Sequence, residues 1–391
     1  MNIQKHYLDL IKNEILYGTI NFNDIGIINS IEHNLENIKV KTSNFLNKSE
    51  LIIPGMIDIH VHGGFGVTFG VGKLLPDLER YSLFAASHGV TGFLISITGP
   101  DAGAIEQTIK DYVKILDQKQ DWPGAIPLGL HLEGPFLNKE KHGAFNPAWI
   151  HNPEVDETRS YLDAGCGWIK QISMAPELPG VEQSAQLLAD AGVVISLGHS
   201  NTNYENASTA LKGMFSHVTH TFNAQSPLHQ REPGVVGAVL ASDKVTAELI
   251  GDSLHVHPAA MKILYRCLGP ERIVLITDAM QGAGMPDGDY DLLNQKVTVK
   301  NGKATLPDGT IGGSTGTMEG CLRTMVQEAG VPLQDAVRMA SFNPAKVIKV
   351  ENRKGSIEVG KEADLAILDD AFKVQMTIVK GKVVYSSEGN I

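Results

Sequence analysis

An alternation of short apolar runs and amphipathic segments, beginning near Leu51, constrains the fold more than any other feature of the sequence. The runs are bounded by Gly, Pro, Asp or Asn, which is typical of buried strands. Helical segments such as DLERYSLFAASHG and VEQSAQLLADAG lie between several of them, and the second ends at Gly192, a residue suited to a helix C-terminus. The strand candidates are LIIPGMIDIHVH, TGFLISIT, IPLGLHLEG, IKQISMAPE, VVISLGHS, HVTHTFN, VTAELIGD and RIVLITDA. Eight strands with intervening helices predict an α/β fold, a (β/α)8 barrel of the TIM type.

The two ends of the chain follow a different pattern. Residues before about 52 and after about 350 hold short strand-like runs with glycine turns, as in KGSIEVGKEADLAILD and MTIVKGKVVYSSEG. We therefore expect a small β-sandwich domain built from residues 1–52 and 350–391, and a barrel over residues 53–349. A length of 391 residues suits one large barrel with an attached domain.

Charge and cysteine content exclude some classes of protein. A formal net charge of -11 argues against a nucleic-acid-binding protein, because phosphate backbones need a basic surface. A small phosphorylated ligand, which needs only a few local donors, is still permitted. Cys166, Cys267 and Cys321 form no C-x-x-C pair, which favours a reducing, cytoplasmic location. We expect no signal peptide and no membrane span, since no stretch offers about 18 consecutive apolar residues.

Polar side chains cluster at the ends of several strand candidates. Catalytic groups of such barrels lie at the C-terminal ends of the strands, so these side chains are expected to meet at one mouth. Imidazole and carboxylate groups held on rigid elements are ligands for divalent metals. The sequence therefore predicts a site for one or two divalent ions, and Zn, Fe, Mn and Co all suit such donors. The candidate ligands are His60, His62, Glu133, His199 and His220.

The H-x-H of the first strand candidate carries part of this hypothesis. Residues two apart in a strand point to the same side, so Asp58, His60 and His62 are expected to face one way. Gly63 and Gly64 follow, and their lack of side chains leaves room for a ligand. A single histidine is more often structural than a metal ligand, and only the combination of strand ends favours the metal site. Asp58 is interpreted as orienting its surroundings.

Asp278, in VLITDAM at the end of the last barrel strand, has two interpretations. It could cap a following helix, which is common for Asp after a strand. It could also act as a general base that takes a proton from water and returns it to a leaving amine, and the neighbouring ligand candidates favour this role. Other histidines lack this strand-end context. His131 is at best a residue that supports the metal ligands without binding the metal. The rest are interpreted as structural or loop residues: His142, His151, His217, His229 and His257.

Seven segments, in order along the chain, carry a resemblance to a known family. They are PGMIDIHVHG, HLEGPF, LGHS, HTFNAQSP, REPG, DSLHV and ITDA. The chain resembles the N-acetylglucosamine-6-phosphate deacetylases of the amidohydrolase superfamily across nearly its whole length. The resemblance implies a (β/α)8 barrel with a β-sandwich made from both termini. It also implies metal-dependent removal of the N-acetyl group from N-acetylglucosamine 6-phosphate, giving glucosamine 6-phosphate and acetate.

The resemblance also implies roles for individual residues. Glu133, His199 and His220 match the family's metal ligands. His60 and His62 match an H-x-H that supplies a second metal in some members. Asp278 matches the catalytic acid/base. Positions that match substrate contacts are Ala144, Asn223, Ala224, Arg231, His255, Ile311, Gly312 and Gly313, of which Arg231 contacts the phosphate from the neighbouring subunit of a homodimer.

One position departs from the family pattern, and three alternatives stay open. Many members have a polar residue where this chain has Phe145, and a phenyl ring cannot donate a hydrogen bond to a sugar hydroxyl. The galactosamine epimer is therefore an alternative substrate. An amidohydrolase of another specificity usually needs a carboxylated lysine, but no lysine lies at a strand end comparable to Glu133. An inactive barrel serving as a scaffold is expected to have lost ligands, and all of them are present here.

Overall fold

The computed structural model describes residues 2–33, 50–292 and 295–389. Its strands are, in chain order, β1 (Asn2–Asp9), β2 (Glu14–Phe22), β3 (Ile28–His33), β4 (Leu51–Pro54), β5 (Met56–Asp58), β6 (Gly63–Gly64), β7 (Val67–Thr68), β8 (Val90–Ile97), β9 (Ile126–Glu133), β10 (Ile169–Met174), β11 (Val194–Leu197), β12 (His217–Val218), β13 (Thr246–Ile250), β14 (Ile273–Ile276), β15 (Gly288–Leu292), β16 (Gln295–Lys300), β17 (Lys303–Thr305), β18 (Leu365–Leu368), β19 (Val374–Val379) and β20 (Lys382–Ser386). Its α-helices are α1 (Leu74–Ser87), α2 (Ala102–Gln118), α3 (Val155–Gly165), α4 (Val181–Asp190), α5 (Tyr204–Lys212), α6 (Gly234–Leu240), α7 (Pro258–Leu268), α8 (Met318–Gln327), α9 (Leu333–Ala340) and α10 (Phe342–Val347). None of the helices in these described ranges is long and apolar enough to cross a membrane.

Eight parallel strands form a barrel-like sheet in the order β5-β8-β9-β10-β11-β12-β13-β14. Its two edges meet at the C-terminal end, where the Asp278 N–H donates to the His60 carbonyl at 3.0 Å and the His62 N–H donates to the Ala279 carbonyl at 2.8 Å. The Thr277 hydroxyl donates to the Asp58 carboxylate across the same gap, at 2.5 Å. Asp58 thus orients its surroundings, as interpreted from the sequence, and the nearly closed sheet fits the predicted TIM barrel.

The helices cover the sheet as their periodicity predicts. In α2 the buried residues Ile105, Ile109, Tyr112, Val113 and Leu116 recur at helical spacing and face the core. The side chain of Asp101 caps its first turn by accepting the N–H of Ala104 at 2.9 Å. After α4, Gly192 adopts a φ of 78°, the left-handed conformation that ends many helices.

The first predicted strand is two strands, and this part of the prediction was wrong. β4 pairs with strands of the chain termini, whereas β5 belongs to the barrel. Gly55 lies between them, and glycine is required there because a Cβ at this position would lie 2.2 Å from a methyl carbon of Thr91. β5 then ends at Asp58, so His60 and His62 follow the strand. Beyond the strand, the Val61 N–H donates to the Ser96 hydroxyl at 3.0 Å, and the Ser96 N–H donates to the Val61 carbonyl at 3.1 Å.

A second large sheet joins the two chain ends, as the sequence predicts. Its seven strands run in the order β20-β19-β18-β4-β1-β2-β3, and only β1 and β4 pair in parallel. Ile20, Ile52, Leu365 and Ile378 belong to its core. The two-layer sandwich and the limits of the two domains stay predictions. Residues 34–49 of the predicted terminal domain lie outside the described residues.

A small sheet between β14 and α8 was not predicted. β15, β16 and β17 form three antiparallel strands, and Val297 and Val299 of β16 alternate with exposed residues. These two valines pack with Met280 and Leu292 beside the barrel. The insertion places Leu292 and Ile311 in the wall of the cavity at the barrel mouth.

Candidate metal centre and active site

The predicted polar residues lie at the C-terminal ends of the barrel strands. Glu133 is the last residue of β9, while His199, His220 and Asp278 each follow the end of their strand by two residues. These three residues have positive φ angles of 48°, 25° and 50°. For a residue other than glycine this backbone conformation costs about 1–3 kcal/mol and is concentrated at functional sites. The fold therefore holds these side chains in place at the expense of local strain.

Glu133 lies between two pairs of histidines. Its Oε2 is 2.8 Å from Nε2 of His62 and 3.4 Å from Nε2 of His60. Its Oε1 is 3.0 Å from Nε2 of His220 and 3.2 Å from Nε2 of His199. Within each group of Glu133 and one pair, the possible ligand atoms lie within 4.8 Å of one another. The carboxylate thus offers one oxygen to each of two adjacent positions for a cation.

Hydrogen bonds on the far side of two rings fix which nitrogen faces Glu133. Nδ1 of His199 donates to the Lys141 carbonyl at 2.7 Å, because a carbonyl oxygen can only accept. Nδ1 of His60 lies 2.9 Å from Oε2 of Glu248. This is the arrangement in which Nε2 of a metal-binding histidine keeps its lone pair. His60 Nε2 is buried and has no hydrogen-bond partner among the described residues, which fits a role as a metal ligand.

The buried carboxylates of this site need positive charge close to them. Burial lowers the pKa of His60, but the carboxylates around the ring outweigh burial and hold that pKa well above its usual value. Within the described ranges, no lysine or arginine forms an ion pair with Glu133 or Asp278. Among the described residues, the groups within ion-pair distance of these two carboxylates are imidazoles. A divalent cation would displace protons from those imidazoles.

A cavity of about 190 Å³ opens onto this site. It brings together eleven of the residues predicted from the sequence: His62, Glu133, Ala144, His199, His220, Asn223, Ala224, His255, Asp278, Ile311 and Gly313. Three predicted residues are not in its wall. His60 lies fully buried beneath it, Gly312 lies behind Ala144, and Arg231 is exposed in the loop before α6.

Comparison with known sequences identifies the family. The sequence model of the amidohydrolase family matches residues 51–384. The chain belongs to the amidohydrolase family. The N-acetylglucosamine-6-phosphate deacetylase of Bacillus subtilis (strain 168) is 36% identical over 339 residues, which cover 86% of this chain and 85% of the relative. The N-acetylgalactosamine-6-phosphate deacetylase of Escherichia coli O157:H7 is 35% identical over 370 residues, covering 94% and 96% of the two chains.

A solved structure agrees with this family assignment. It is a mutant of the N-acetyl-D-glucosamine-6-phosphate deacetylase from Mycobacterium smegmatis in complex with N-acetyl-D-glucosamine-6-phosphate. The match has a TM-score of 0.89 at 30% sequence identity and covers 99% of each chain. The structural match therefore extends over nearly the whole chain.

In this amidohydrolase, Phe145 both packs in the loop and lines the cavity. Its side chain is buried against Leu137 and Ile150, and its ring meets the ring of His199 edge-on at a centroid distance of 5.1 Å. The neighbouring Asn146 uses its side-chain oxygen to accept the N–H of Ala148 at 3.0 Å. Asn146 therefore caps a short 3-10 turn, and it is absent from the described cavity wall.

His255 approaches the cavity from the loop after β13. Its Nδ1 lies 2.7 Å from the Asp252 carboxylate, which leaves Nε2 as the remaining polar atom of the ring. Burial raises the pKa of Asp252, but the hydrogen bond and charge of His255 outweigh burial and hold that pKa below its usual value. The ionised Asp252 fixes the orientation of the His255 ring in the cavity wall.

Sequence reasoning missed a buried network beneath the site. Glu248 of β13 contacts His60, Gln171 and His217, the last of which was interpreted as a structural or loop residue. The available signal was a single acidic residue inside the apolar run VTAELIGD. His131 also lies below the site, where its ring nitrogens contact the hydroxyls of Ser96 and Ser173. The other histidines interpreted as structural or loop residues are absent from the described cavity wall: His142, His151, His229 and His257.

Proposed function

We propose that this amidohydrolase removes the N-acetyl group of N-acetylglucosamine 6-phosphate, producing glucosamine 6-phosphate and acetate. The observation that carries the proposal is the Glu133 carboxylate between two histidine pairs, facing the cavity that Asp278 also lines. The names of the Bacillus subtilis relative and of the Mycobacterium smegmatis complex support this substrate.

The proposed metal ligands fall into two groups that share Glu133. His199 and His220 form one group with Oε1 of Glu133, and His60 and His62 form the other with Oε2. One or two ions of Zn, Fe, Mn or Co would suit these nitrogen and oxygen donors. When bound, such an ion supplies Lewis acidity that polarises the amide carbonyl and lowers the pKa of water.

Asp278 is the proposed acid/base. Its Oδ1 lies 3.5 Å from Nε2 of both His60 and His62, and its side chain keeps 13% exposure at the cavity. The next α-helix of the described ranges, α8, begins only at Met318, so Asp278 has no adjoining helix to cap. In the proposed reaction Asp278 takes the proton from the attacking water and gives it to the leaving amine.

The substrate contacts are proposed from the cavity wall. His255, Asn223 and the backbone around Ala224 lie where they can bind the sugar phosphate, opposite Ala144, Ile311 and Gly313. Gly312 lies behind Ala144 and shapes this wall. Arg231 is exposed and outside the cavity wall of its own chain. We propose that it reaches the phosphate in the neighbouring subunit of a homodimer.

The galactosamine epimer is the second candidate substrate. Phe145 in the cavity wall supports it, because a phenyl ring cannot hydrogen-bond the hydroxyl that distinguishes the epimers. A site without a buried donor leaves nothing unpaired when the wrong epimer binds, so discrimination is expected to be flat. The glucosamine derivative is the first choice because the Bacillus and Mycobacterium proteins carry its name.

Acetate release from the two 6-phosphorylated epimers tests the proposal. The purified chain should release acetate and free amino sugar phosphate in equal amounts. Acetate release from unphosphorylated N-acetylglucosamine should be slower. The absence of acetate release from both epimers would overturn the function. A preference above about 10³ that persists in Phe145→His would correspond to roughly 4 kcal/mol supplied elsewhere and would remove Phe145 from the specificity argument.

A further inference from the structure

Glu248 is a buried acid that the proposed reaction does not use. It lies in the middle of β13, with 0% exposure, among residues that form the barrel interior. An ionised carboxylate in such a place costs several kcal/mol unless it is paired and hydrogen-bonded. Its partners therefore show what it does.

Each oxygen of Glu248 has two nitrogen neighbours. Oε1 lies 2.6 Å from Nε2 of Gln171 and 3.2 Å from Nε2 of His217. Oε2 lies 2.9 Å from Nδ1 of His60 and accepts the backbone N–H of His220 at 3.1 Å. The first oxygen anchors the carboxylate within the barrel, and the second points toward the candidate ligands.

We propose that Glu248 is a positioning residue that holds His60 and His220 in the orientation needed to bind metal. Through one oxygen it contacts a residue from each of the two ligand groups that Glu133 divides. The contact to His60 Nδ1 keeps the proton on that nitrogen and leaves the Nε2 lone pair toward Oε2 of Glu133, 3.4 Å away. The contact to His220 secures the backbone where φ is 25°. This inference rests on the proposed metal-dependent function.

The first test is the Zn²⁺ affinity of Glu248→Gln, measured on the full chain by competition with a chelating dye. We expect a loss of roughly 10- to 100-fold, the range typical of removing a hydrogen-bond partner behind a metal ligand. Glu362→Gln is the matched control, since it neutralises another buried glutamate far along the chain and should keep wild-type Zn²⁺ affinity. Equal affinities of wild type and Glu248→Gln would overturn the inference.

A double-mutant cycle distinguishes positioning from general damage to the barrel. If Glu248 acts partly through His60, then Glu248→Gln should weaken Zn²⁺ binding less in a His60→Asn background than in the wild type. Full additivity of the two effects would contradict action through His60.

A measurement on the wild-type chain covers the case in which Glu248→Gln does not fold. In protein labelled with ¹⁵N-histidine, NMR should show His60 with a protonated Nδ1 in the metal-loaded enzyme, with His60→Asn giving the assignment. An unprotonated Nδ1 would overturn the inference. If wild type itself neither binds Zn²⁺ nor releases acetate, the proposed function fails. Zn²⁺ binding and acetate release in wild type, combined with an undiminished affinity in Glu248→Gln, would overturn the Glu248 inference alone.

Discussion

Two buried acidic clusters in this amidohydrolase balance their charge in different ways. The terminal cluster consists of Arg353, Lys354, Glu362 and Asp364, next to the sheet of the chain ends. Lys354 is only 1% exposed, and its Nζ lies 2.6 Å from Glu362 and also contacts Asp364. Arg353 contacts the other oxygen of Glu362 at 2.6 Å. Here the chain supplies its own cations.

The mouth cluster consists of His60, His62, Glu133, His199, His220 and Asp278. Its carboxylates face imidazoles, and within the described ranges no lysine or arginine pairs with them. Both clusters need positive charge, because an unpaired buried carboxylate is costly. The difference teaches that the mouth cluster could hold a metal ion, whereas the terminal cluster already contains its own cations.

Removing the metal ion should have the largest effect on turnover, and it should affect the mouth cluster but not the terminal cluster. We expect a chelator to abolish acetate release, and added Zn²⁺ or Mn²⁺ to restore it. The ion should also stabilise the fold by about 2.7 kcal/mol at a concentration 100 times its Kd, seen as a rise in Tm. The Lys354→Met variant should show the same rise in Tm when the ion is added. Full turnover in the presence of the chelator would contradict the claim that the mouth cluster, unlike the terminal cluster, needs a metal ion.

Asp278→Asn sharpens the comparison within the mouth cluster by separating proton transfer from ion binding. Turnover should fall by roughly 10²- to 10⁴-fold, the range for loss of a general acid/base. Metal content should stay near wild type, because the histidine pairs and Glu133 remain. The measurements are kcat and elemental analysis on the same preparation. Wild-type kcat would remove Asp278 from the chemistry.

Lys354→Met is the reciprocal change in the terminal cluster. It leaves Glu362 and Asp364 buried without their shared cation, which should lower the free energy of unfolding by about 3–5 kcal/mol. Urea denaturation measures this loss. Metal content should not change, since the mouth cluster does not contact Lys354. Loss of metal in a folded Lys354→Met protein would show that the two clusters are coupled.

The smallest expected effect is a change in the free energy of unfolding as the pH is lowered. Burial raises the pKa of Glu362, but the charges and hydrogen bonds of Lys354 and Arg353 outweigh burial and lower that pKa below its usual value. A depressed folded-state pKa contributes stability above the unfolded-state pKa, about 4.3, and loses it as pH falls through the folded value. The stability gap between wild type and Glu362→Gln should therefore be largest near pH 7 and shrink below about pH 4. A gap independent of pH would contradict the ion pairing.

Much of the fold follows from the sequence because buried parallel strands leave a simple signal. Apolar runs such as TGFLISIT became β8, and the polar residues just after the runs converged at the mouth. The split between β4 and β5 was not predictable, since it follows from pairing with two different sheets whose strands are distant in sequence. The contacts of Glu248 were also not predictable, because its partner His60 lies 188 positions away in the sequence. The distances among the ligands depend on barrel closure, which periodicity does not measure.

The most direct test of the central claim is the number of metal ions per chain in wild type, Glu133→Gln and Lys354→Met, determined by elemental analysis of protein purified without added metal. We expect one or two ions in wild type and in Lys354→Met, and a loss of bound metal together with activity in Glu133→Gln, because an amide is a poorer ligand than a carboxylate. Full metal content with full turnover in Glu133→Gln would contradict the claim that the mouth cluster needs an ion held by Glu133.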